Sequence, residues 1–255
     1  MKIQRLLSYV RCAVDDYNMI EEGDRIAIGV SGGKDSLALI AALSTLRRFY
    51  PKHFELEAIS VDLGFEGMDF SPVEEYCRGY DVNYTVVHTD IGEIIFDARR
   101  EKNPCSLCAK MRKGALNDMV EKLGCSKIAL GHNKDDVVET MLMSLFYEGR
   151  ISCFSPVTYL DRKKITSIRP LIYAPEADVR GFARRYCLPV VKNLCPADGN
   201  TKREEMKEMV REYRRKFDCF DNKIFGAIQR AGINGWKVSD SDPRRSSSKD
   251  ADGKG

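Results

Sequence analysis

No run of apolar residues in this 255-residue chain approaches the ~20 that a membrane span needs. The N-terminus, MKIQRLLSYVRCAVDDYNMI, interleaves charges with its apolar positions, which argues against a secretory signal and for an amphipathic helix. Both absences make the cytoplasm the default location and leave no membrane partner. An excess of one charge is missing too. The net charge is only +3, so there is no global basic field, and a nucleic-acid partner has to be met by a local patch. There is no internal repeat. What is plentiful is cysteine: Cys12, Cys77, Cys105, Cys108, Cys125, Cys153, Cys187, Cys195 and Cys219. Their odd number, without a signal peptide, makes a disulfide framework an unlikely organising principle. Most read as small buried hydrophobes, and any cluster of them as metal-binding or catalytic.

Apolar runs alternate with helical patterns along the first 150 residues. A helix over 2–19 precedes a buried strand at 25–30, and a helix over 36–50 leads to a strand at 55–61 that ends at Asp62. A helix over 71–80, a strand at 82–88, a polar connection over 89–103, a helix over 105–123, a strand at 127–130 and a helix over 134–147 follow. This alternation predicts an α/β fold with a doubly wound parallel sheet, whose ligands bind beyond the carboxyl ends of the strands. After Gly149 the pattern weakens to a short hairpin within 151–168, a helix over 175–186, a last strand at 188–191 and helices over 201–216 and 220–230. The expected organisation is an N-terminal helix (1–20), a main domain (21–217) and a C-terminal helix (218–237). Residues 238–255, VSDSDPRRSSSKDADGKG, have almost no apolar side chains with which to build a core and read as a disordered tail.

Three motifs carry chemistry, each at a strand end or in the helix that follows one. The stretch AIGVSGGKDSLALI contains Ser31, Gly32, Gly33, Lys34, Asp35 and Ser36 between a strand and a helix. Adjacent glycines let the backbone approach an anion, and the free N–H groups of the helix's first turn point at it. Ser31 and Ser36 add hydroxyl donors and Lys34 adds charge. A tight turn alone explains the glycines but not the lysine or the paired serines. The G-x-x-x-x-G-K-S/T spacing is absent, so this is not a Walker A loop. The second motif is GHNKDD, from Gly131 to Asp136, followed by Glu139 and Thr140. Asp135 and Asp136 suit a hydrated Mg²⁺ on nucleotide phosphates, although Asp135 also suits a helix N-cap. His132 reads as a shape or hydrogen-bonding residue rather than a base. In the third, Cys105-Ser106-Leu107-Cys108, the thiols lie three apart at a helix start, share a face and feel the positive end of its dipole, which favours thiolate. Redox pairs and half zinc sites look the same. No second C-x-x-C completes a four-cysteine ribbon. Cys195, in a polar loop over 193–199, is the best-placed single cysteine. Cys12, Cys77, Cys125, Cys153 and Cys187 fall within or beside helix and strand patterns, and Cys219 flanks a helix.

SGGKDS has the form of the loop in N-type ATP pyrophosphatases of the PP-loop class. With GH-x-x-DD-x-x-ET, the C-x-x-C followed by Arg112-Lys113-Gly114, and a single late cysteine, residues 1 to about 220 resemble the tRNA 2-thiocytidine biosynthesis family. The resemblance implies a PP-loop ATP pyrophosphatase domain of adenine nucleotide alpha hydrolase-like fold over 21–217. It implies ATP held by Ser31, Gly32, Gly33, Lys34, Asp35, Ser36, Gly131 and Asp136, with adenosine received at the strand end from Ile59 through Val61 to Asp62. Mg²⁺ falls to Asp136, with Asp135 close behind. A [4Fe-4S] cluster falls to Cys105, Cys108 and Cys195, which leaves one iron open to an external ligand. Lys34, Asp135, Asp136 and the three cysteines are then the catalytic set. The activity implied is an ATP-dependent tRNA sulfurtransferase that adenylates C2 of an anticodon-loop cytidine and replaces its oxygen with sulfur.

The terminal zinc-ribbon cysteine pairs of the 2-thiouridine relatives do not occur in this sequence, which favours the cytidine branch, and with no rhodanese-like appendage sulfur is expected from an external donor, a cysteine desulfurase or sulfide. Familiar family members carry a second cysteine just before the third ligand, where this chain has Val191-Lys192-Asn193-Leu194. Two other readings use the same loop: a lysidine-synthetase-like tRNA ligase without a cluster, and a nucleotide-binding regulator with a zinc or redox C-x-x-C. A homodimer is compatible with all three. The segment KREEMKEMVREYRRK, Lys202–Lys216, is basic overall. It reads either as a solvated face laced by i,i+4 pairs or as a contact to the tRNA backbone, extended by Arg99, Arg100, Lys102, Arg112 and Lys113.

Overall fold

The computed structural model describes residues 1–98, 104–191, 194–196 and 202–236. Arg99, Arg100, Lys102 and the tail expected over 238–255 lie outside the described residues. Six strands, β1 (Asp24–Gly29), β2 (Phe54–Asp62), β3 (Asn83–His88), β4 (Lys127–Ala129), β5 (Val157–Leu160) and β6 (Ile165–Ile168), form one sheet in the order β3-β2-β1-β4-β6-β5. Only β5 runs antiparallel, paired to β6; the pairs β1–β2, β2–β3, β1–β4 and β4–β6 are parallel. The chain builds outward from β1 to β3 and then returns to add β4 on the other side. The strand order therefore reverses between β1 and β4, where an open α/β sheet binds its ligand.

Alternation along β1 shows why the sheet is covered on both faces. Ile26 and Ile28 enter one apolar cluster, while Ala27 enters another with Ile59, Val120, Cys125, Ile128 and Ile165. The first face is packed by α1 (Ile3–Asp16), α2 (Lys34–Arg47) and α7 (Glu176–Arg185), which contact one another. In α1 the buried positions Leu6, Val10, Ala13 and Val14 follow the helical period. The second face is packed by α5 (Pro104–Lys122), and α3 (Ser71–Gly79) lies against β3. Helix α6 (Lys134–Glu148) leaves the end of β4 and carries α8 (Lys202–Lys216) and α9 (Phe220–Ala231) against it.

Two expectations fail. The segment after β3 is not a plain connection: a helical turn, α4 (Ile91–Glu93), runs into a π-helix, Ile94–Ala98. Ile91 and Ile95, one turn apart, are buried there. Residues 188–191 form no strand. Pro189 has no N–H to donate, the Val190 N–H turns back to the Leu188 carbonyl (2.8 Å), and the Val191 N–H reaches the Gly32 carbonyl instead (3.0 Å). The hairpin expected within 151–168 is present as β5–β6 and extends the main sheet rather than standing apart.

The chain's single tryptophan closes this core from the C-terminal side. Trp236 is fully buried, donates from Nε1 to the Phe154 carbonyl at 2.8 Å, and packs edge-on against Tyr17 and Phe225. Trp236→Ala is expected to destabilise the protein by about 3–5 kcal/mol, seen as a lowered urea midpoint in far-UV circular dichroism. An unchanged midpoint would mean that the C-terminal segment is not part of the cooperative core.

Candidate active site

The loop after β1 folds around its own hydroxyls. The Gly33 N–H donates to Ser31 Oγ (3.3 Å), the Ser31 N–H to Ser36 Oγ (3.3 Å), and Ser36 Oγ to the Gly33 carbonyl (2.9 Å). Gly32 has φ +76°, and a Cβ there would stand 3.0 Å from Val191 Cβ. Across the switch point, a Cβ on Gly131 would stand 3.1 Å from the backbone of Asp35 and Ser36. The two motifs thus touch backbone to backbone. The loop N–H groups of Ser31 and Gly33 make only long bonds to hydroxyls, at 3.3 Å, which suits their replacement by phosphate oxygens at a helix N-terminus.

The N-cap of α6 is Asn133, not Asp135. Asn133 Oδ1 accepts from the N–H groups of Asp135 (2.9 Å) and Asp136 (3.2 Å), and Asp136 Oδ2 accepts the Asn133 N–H (2.9 Å), a reciprocal capping box. Asn133 Nδ2 also donates to Asp35 Oδ1 at 3.1 Å. Asp35 Oδ2 in turn pairs with Lys34 Nζ (2.8 Å), which also pairs with Glu176 at the start of α7 (2.9 Å). Burial works against the charge of Lys34, and the two carboxylates outweigh it, holding the ammonium above its ordinary pKa. The carboxylate of Asp135 points away from the loop: it accepts the Glu176 N–H at 2.7 Å and pairs with Arg214 of α8, which also pairs with Asp221. Asp136 remains beside the loop, 3.7 Å from Arg203, and burial pushes its pKa up. One helical turn on, Glu139 is 4 % exposed, and its Oε2 has no partner among the described residues. Burial, reinforced by the charge of Asp136, raises Glu139 to about 7.

A cavity of about 540 Å³ opens over the strand ends. Among the expected residues, Ser31, Asp35, Ser36, Ile59, Val61 and Gly131 line it, as do Arg112 and Lys113 from α5. Asp62 is not in its wall. One Asp62 oxygen accepts the Gly64 N–H and the other lies 2.9 Å from His88 Nδ1. His132 lines the cavity and is held neutral, its pKa pushed down to about 3 by burial and by the charges of Arg169 and Arg203.

The three expected ligand cysteines come together beside this cavity. Cys105 and Cys108 sit in the first turns of α5, whose Ala109, Arg112 and Lys113 form its wall. The Cys108 thiol is raised above its ordinary value by burial, against the pull of Arg112, and the neighbouring sulfurs of Cys195 and Cys105 raise it further. The helix dipole therefore does not win at Cys108: desolvation and two adjacent thiols oppose ionisation more strongly. Cys125, by contrast, is a core residue in the second apolar cluster.

Asn133, Glu176 and Arg169 escaped the sequence reading. Only Asn133 had a local signal, the N-x-x-D spacing to Asp136; the other two act across more than one element. Arg214, read as a nucleic-acid contact, is instead committed to two carboxylates, while Arg211 and Arg215 are exposed.

This phosphate-directed loop, with a switch-point cavity beside it, places the chain among the PP-loop nucleotide-binding proteins, and a family model described as a PP-loop domain (ATP_bind_3) matches residues 5–217. The tRNA-cytidine(32) 2-sulfurtransferase of Teredinibacter turnerae is 40% identical over 229 residues, covering 89% of this chain and 76% of the relative. The protein of the same name from Citrifermentans bemidjiense is 38% identical over 227 residues, covering 88% and 89%. The structure of the U34-tRNA thiolase NcsA from Methanococcus maripaludis with its [4Fe-4S] cluster aligns with a TM-score of 0.71 at 26% identity, covering 88% of this chain and 77% of that one. The chain belongs to the tRNA-cytidine 2-sulfurtransferase family of PP-loop proteins.

Glu139 and His132 make opposite contributions to stability as pH changes. Glu139, raised from 4.5 to about 7, takes up a proton on folding, so its contribution is full below pH 4.5 and is lost as pH rises through 7. His132, lowered from 6.5 to about 3, contributes above pH 6.5 and loses that contribution as pH falls. Because the two slopes offset in the parent, the informative quantity is the difference from Glu139→Gln. Without ATP, this variant is expected to gain about 1–3 kcal/mol over the parent between pH 5 and pH 8, measured by urea unfolding at both. A constant difference would mean that Glu139 is ionised throughout.

Proposed function

We propose that this protein is an ATP-dependent tRNA thiolase that activates C2 of a cytidine in the tRNA anticodon loop, position 32 as in the names of its relatives, and exchanges its oxygen for sulfur. The observation that carries this reading is the nearness of Cys105 and Cys195 to Cys108 on the helix that walls the nucleotide cavity, since an amidating ligase has no use for three thiols there. The donor set is all sulfur, which suits iron–sulfur chemistry. Among the described residues no three histidine, cysteine or acidic groups converge as a single metal ion demands. Cys105, Cys108 and Cys195 would hold a [4Fe-4S] cluster, and the iron they leave without a protein ligand would supply the chemistry that activates sulfur from an external donor.

The chain's own residues supply binding and electrostatics. Loop N–H groups with Ser31 and Ser36 hold the phosphates, and Lys34 exchanges its carboxylate partners for phosphate oxygens. Ile59 and Val61 receive adenosine. Asp136 is the ligand for Mg²⁺, while Asp135 acts through Arg214 and the Glu176 N–H to fix α8 and α7. The base's C2 oxygen attacks the α-phosphorus and the bond to pyrophosphate breaks. A sulfur nucleophile then adds at C2, and AMP departs with the original oxygen. Donors aimed at the charge that develops on the phosphoryl oxygens are the protein's main contribution to rate. Sulfur arrives from a cysteine desulfurase or as sulfide, and the site of action is the cytoplasm. Consistent with this, none of the described helices is long and apolar enough to cross a membrane.

Anaerobically purified protein is expected to be brown, with about four irons per chain, and Cys105→Ala, Cys108→Ala and Cys195→Ala should each abolish this while Cys125→Ala does not. Colourless protein holding one zinc would overturn the thiolase reading.

The exposed Arg211 and Arg215 are proposed as contacts to the tRNA backbone. Replacing both by Glu is expected to weaken tRNA binding and reduce its logarithmic salt slope by about 2. Unchanged affinity across a salt titration would return α8 to an ordinary solvated surface.

A further inference from the structure

We propose that the part of the cavity over β4, β6 and β5 is the pocket for the target pyrimidine, with Arg169 as the donor to its C2 carbonyl and His132 beside it; this rests on the thiolase reading. The cavity spans five strand ends, from Ile59 and Val61 on β2, past Ser31 and Gly131, to Ser167, Arg169, Thr158 and Leu160 at the hairpin. Adenosine and its phosphates account for the β2 and β1 side. Nothing in ATP accounts for the other.

That side is built for a polar, planar ligand. Arg169 is 9 % exposed and has no carboxylate within ion-pairing distance among the described residues. Its Nη1 is fastened to the Ser155 carbonyl (2.5 Å) and Thr158 Oγ1 (3.2 Å), and its guanidinium lies 5.0 Å from the centre of the Phe154 ring. Nε has no partner, and neither Nη2 nor His132 Nδ1 nor Ser167 Oγ makes a hydrogen bond among the described residues. His132 packs on the same phenyl ring at 4.8 Å. A buried cation with a fixed orientation and no counter-charge is costly unless a ligand completes it.

The ligand that completes it must offer acceptors to a guanidinium and tolerate a neutral imidazole. Cytosine does so: O2 and N3 accept, and the 4-amino group donates. Adenine has no carbonyl, and uracil replaces the N3 acceptor with a donor. The position also fits the reaction, because the PP-loop lies between the two arms, so a base seated against Arg169 faces the α-phosphate across Ser31 and Gly131. A base inside an RNA loop must be swung out of its stack to get there.

The test uses the full-length, anaerobically prepared protein and an anticodon stem–loop RNA with the fluorescent base pyrrolocytosine at position 32, alongside the unlabelled RNA for thiolation. Arg169→Met removes the donors at similar volume. Arg169→Lys keeps the charge without the fork and serves if the first variant fails to fold. ATP affinity and stem–loop affinity are expected to stay within about threefold, because phosphates dominate both. The fluorescence change on base insertion should be lost in Arg169→Met and reduced in Arg169→Lys, and single-turnover thiolation at saturating ATP should fall about a hundredfold in Arg169→Met.

Equal loss of ATP binding would assign Arg169 to the nucleotide and overturn the proposal. So would an insertion signal that survives in both variants. If the parent thiolates RNA and its insertion signal ignores Arg169, the base pocket falls and the thiolase reading stands. If the insertion signal depends on Arg169 but no RNA is thiolated under any donor, the pocket stands and the thiolase reading falls.

Discussion

One asparagine joins the two halves of the nucleotide site. Asn133 uses its carbonyl oxygen to cap α6 and its amide to hold Asp35 on the far side of the switch point. A cap of this kind contributes about 1 kcal/mol to its helix. Its larger consequence is geometric. Asp35 held from one side by Asn133 and from the other by Lys34 has a single orientation, and that fixes the first turn of α2 against Gly131. The β1–α2 and β4–α6 units could otherwise pack at a range of angles on either side of the gap. The close approach at Gly131 leaves little room for a side chain, so the two loops are packed backbone against backbone.

A second tie links the phosphate loop to the sulfur chemistry. The Val191 N–H donates to the Gly32 carbonyl, and Val191 occupies the space a side chain on Gly32 would need. From Val191 the chain has four residues in which to reach Cys195, a span of at most about 14 Å. The third cysteine is therefore tethered to the loop that holds ATP, while the first two ride on α5, the wall of the same cavity. The phosphate loop and the three cysteines are brought together by covalent reach on one side and helix packing on the other. The loss of a regular strand at 188–191 is the structural cost of that tether, since the N–H that might have joined a ladder is spent on the loop.

The strand–loop–helix units were legible because their signals are local. Buried parallel strands read as short apolar runs, and a phosphate loop is written in six consecutive residues. The helical turn and π-helix over 91–98 were not legible, because the burial of Ile91 and Ile95 comes with packing against α5, an element that follows later in the chain. Asp135 illustrates the limit within the site. Adjacent acids in a motif look equivalent in sequence, yet the helical rotation between neighbours turns Asp136 toward the loop and Asp135 toward Arg214 and α7. Arg169 illustrates it for the cavity: its significance comes from having no counter-charge among the described residues, and the lack of a distant partner cannot be read from its neighbours in the chain.

The charges of the site are arranged to be rearranged. Lys34 lies between Asp35 and Glu176 and Arg203 near Asp136, so these two cations at the phosphate loop already have carboxylate company. A site of unpaired cations would hold phosphate more tightly in the ground state but would bind any polyanion, including the backbone of RNA in the wrong register. A self-neutralised site raises the threshold: the incoming ligand must offer oxygens at the loop and also displace Glu176 from Lys34. Glu139 extends the same logic inward. Its proton is held by burial beside Asp136, so a cation arriving at Asp136 lowers the penalty for ionising both. Rearranging this ion-paired cluster has a cost that only a ligand with the right charge in the right place offsets.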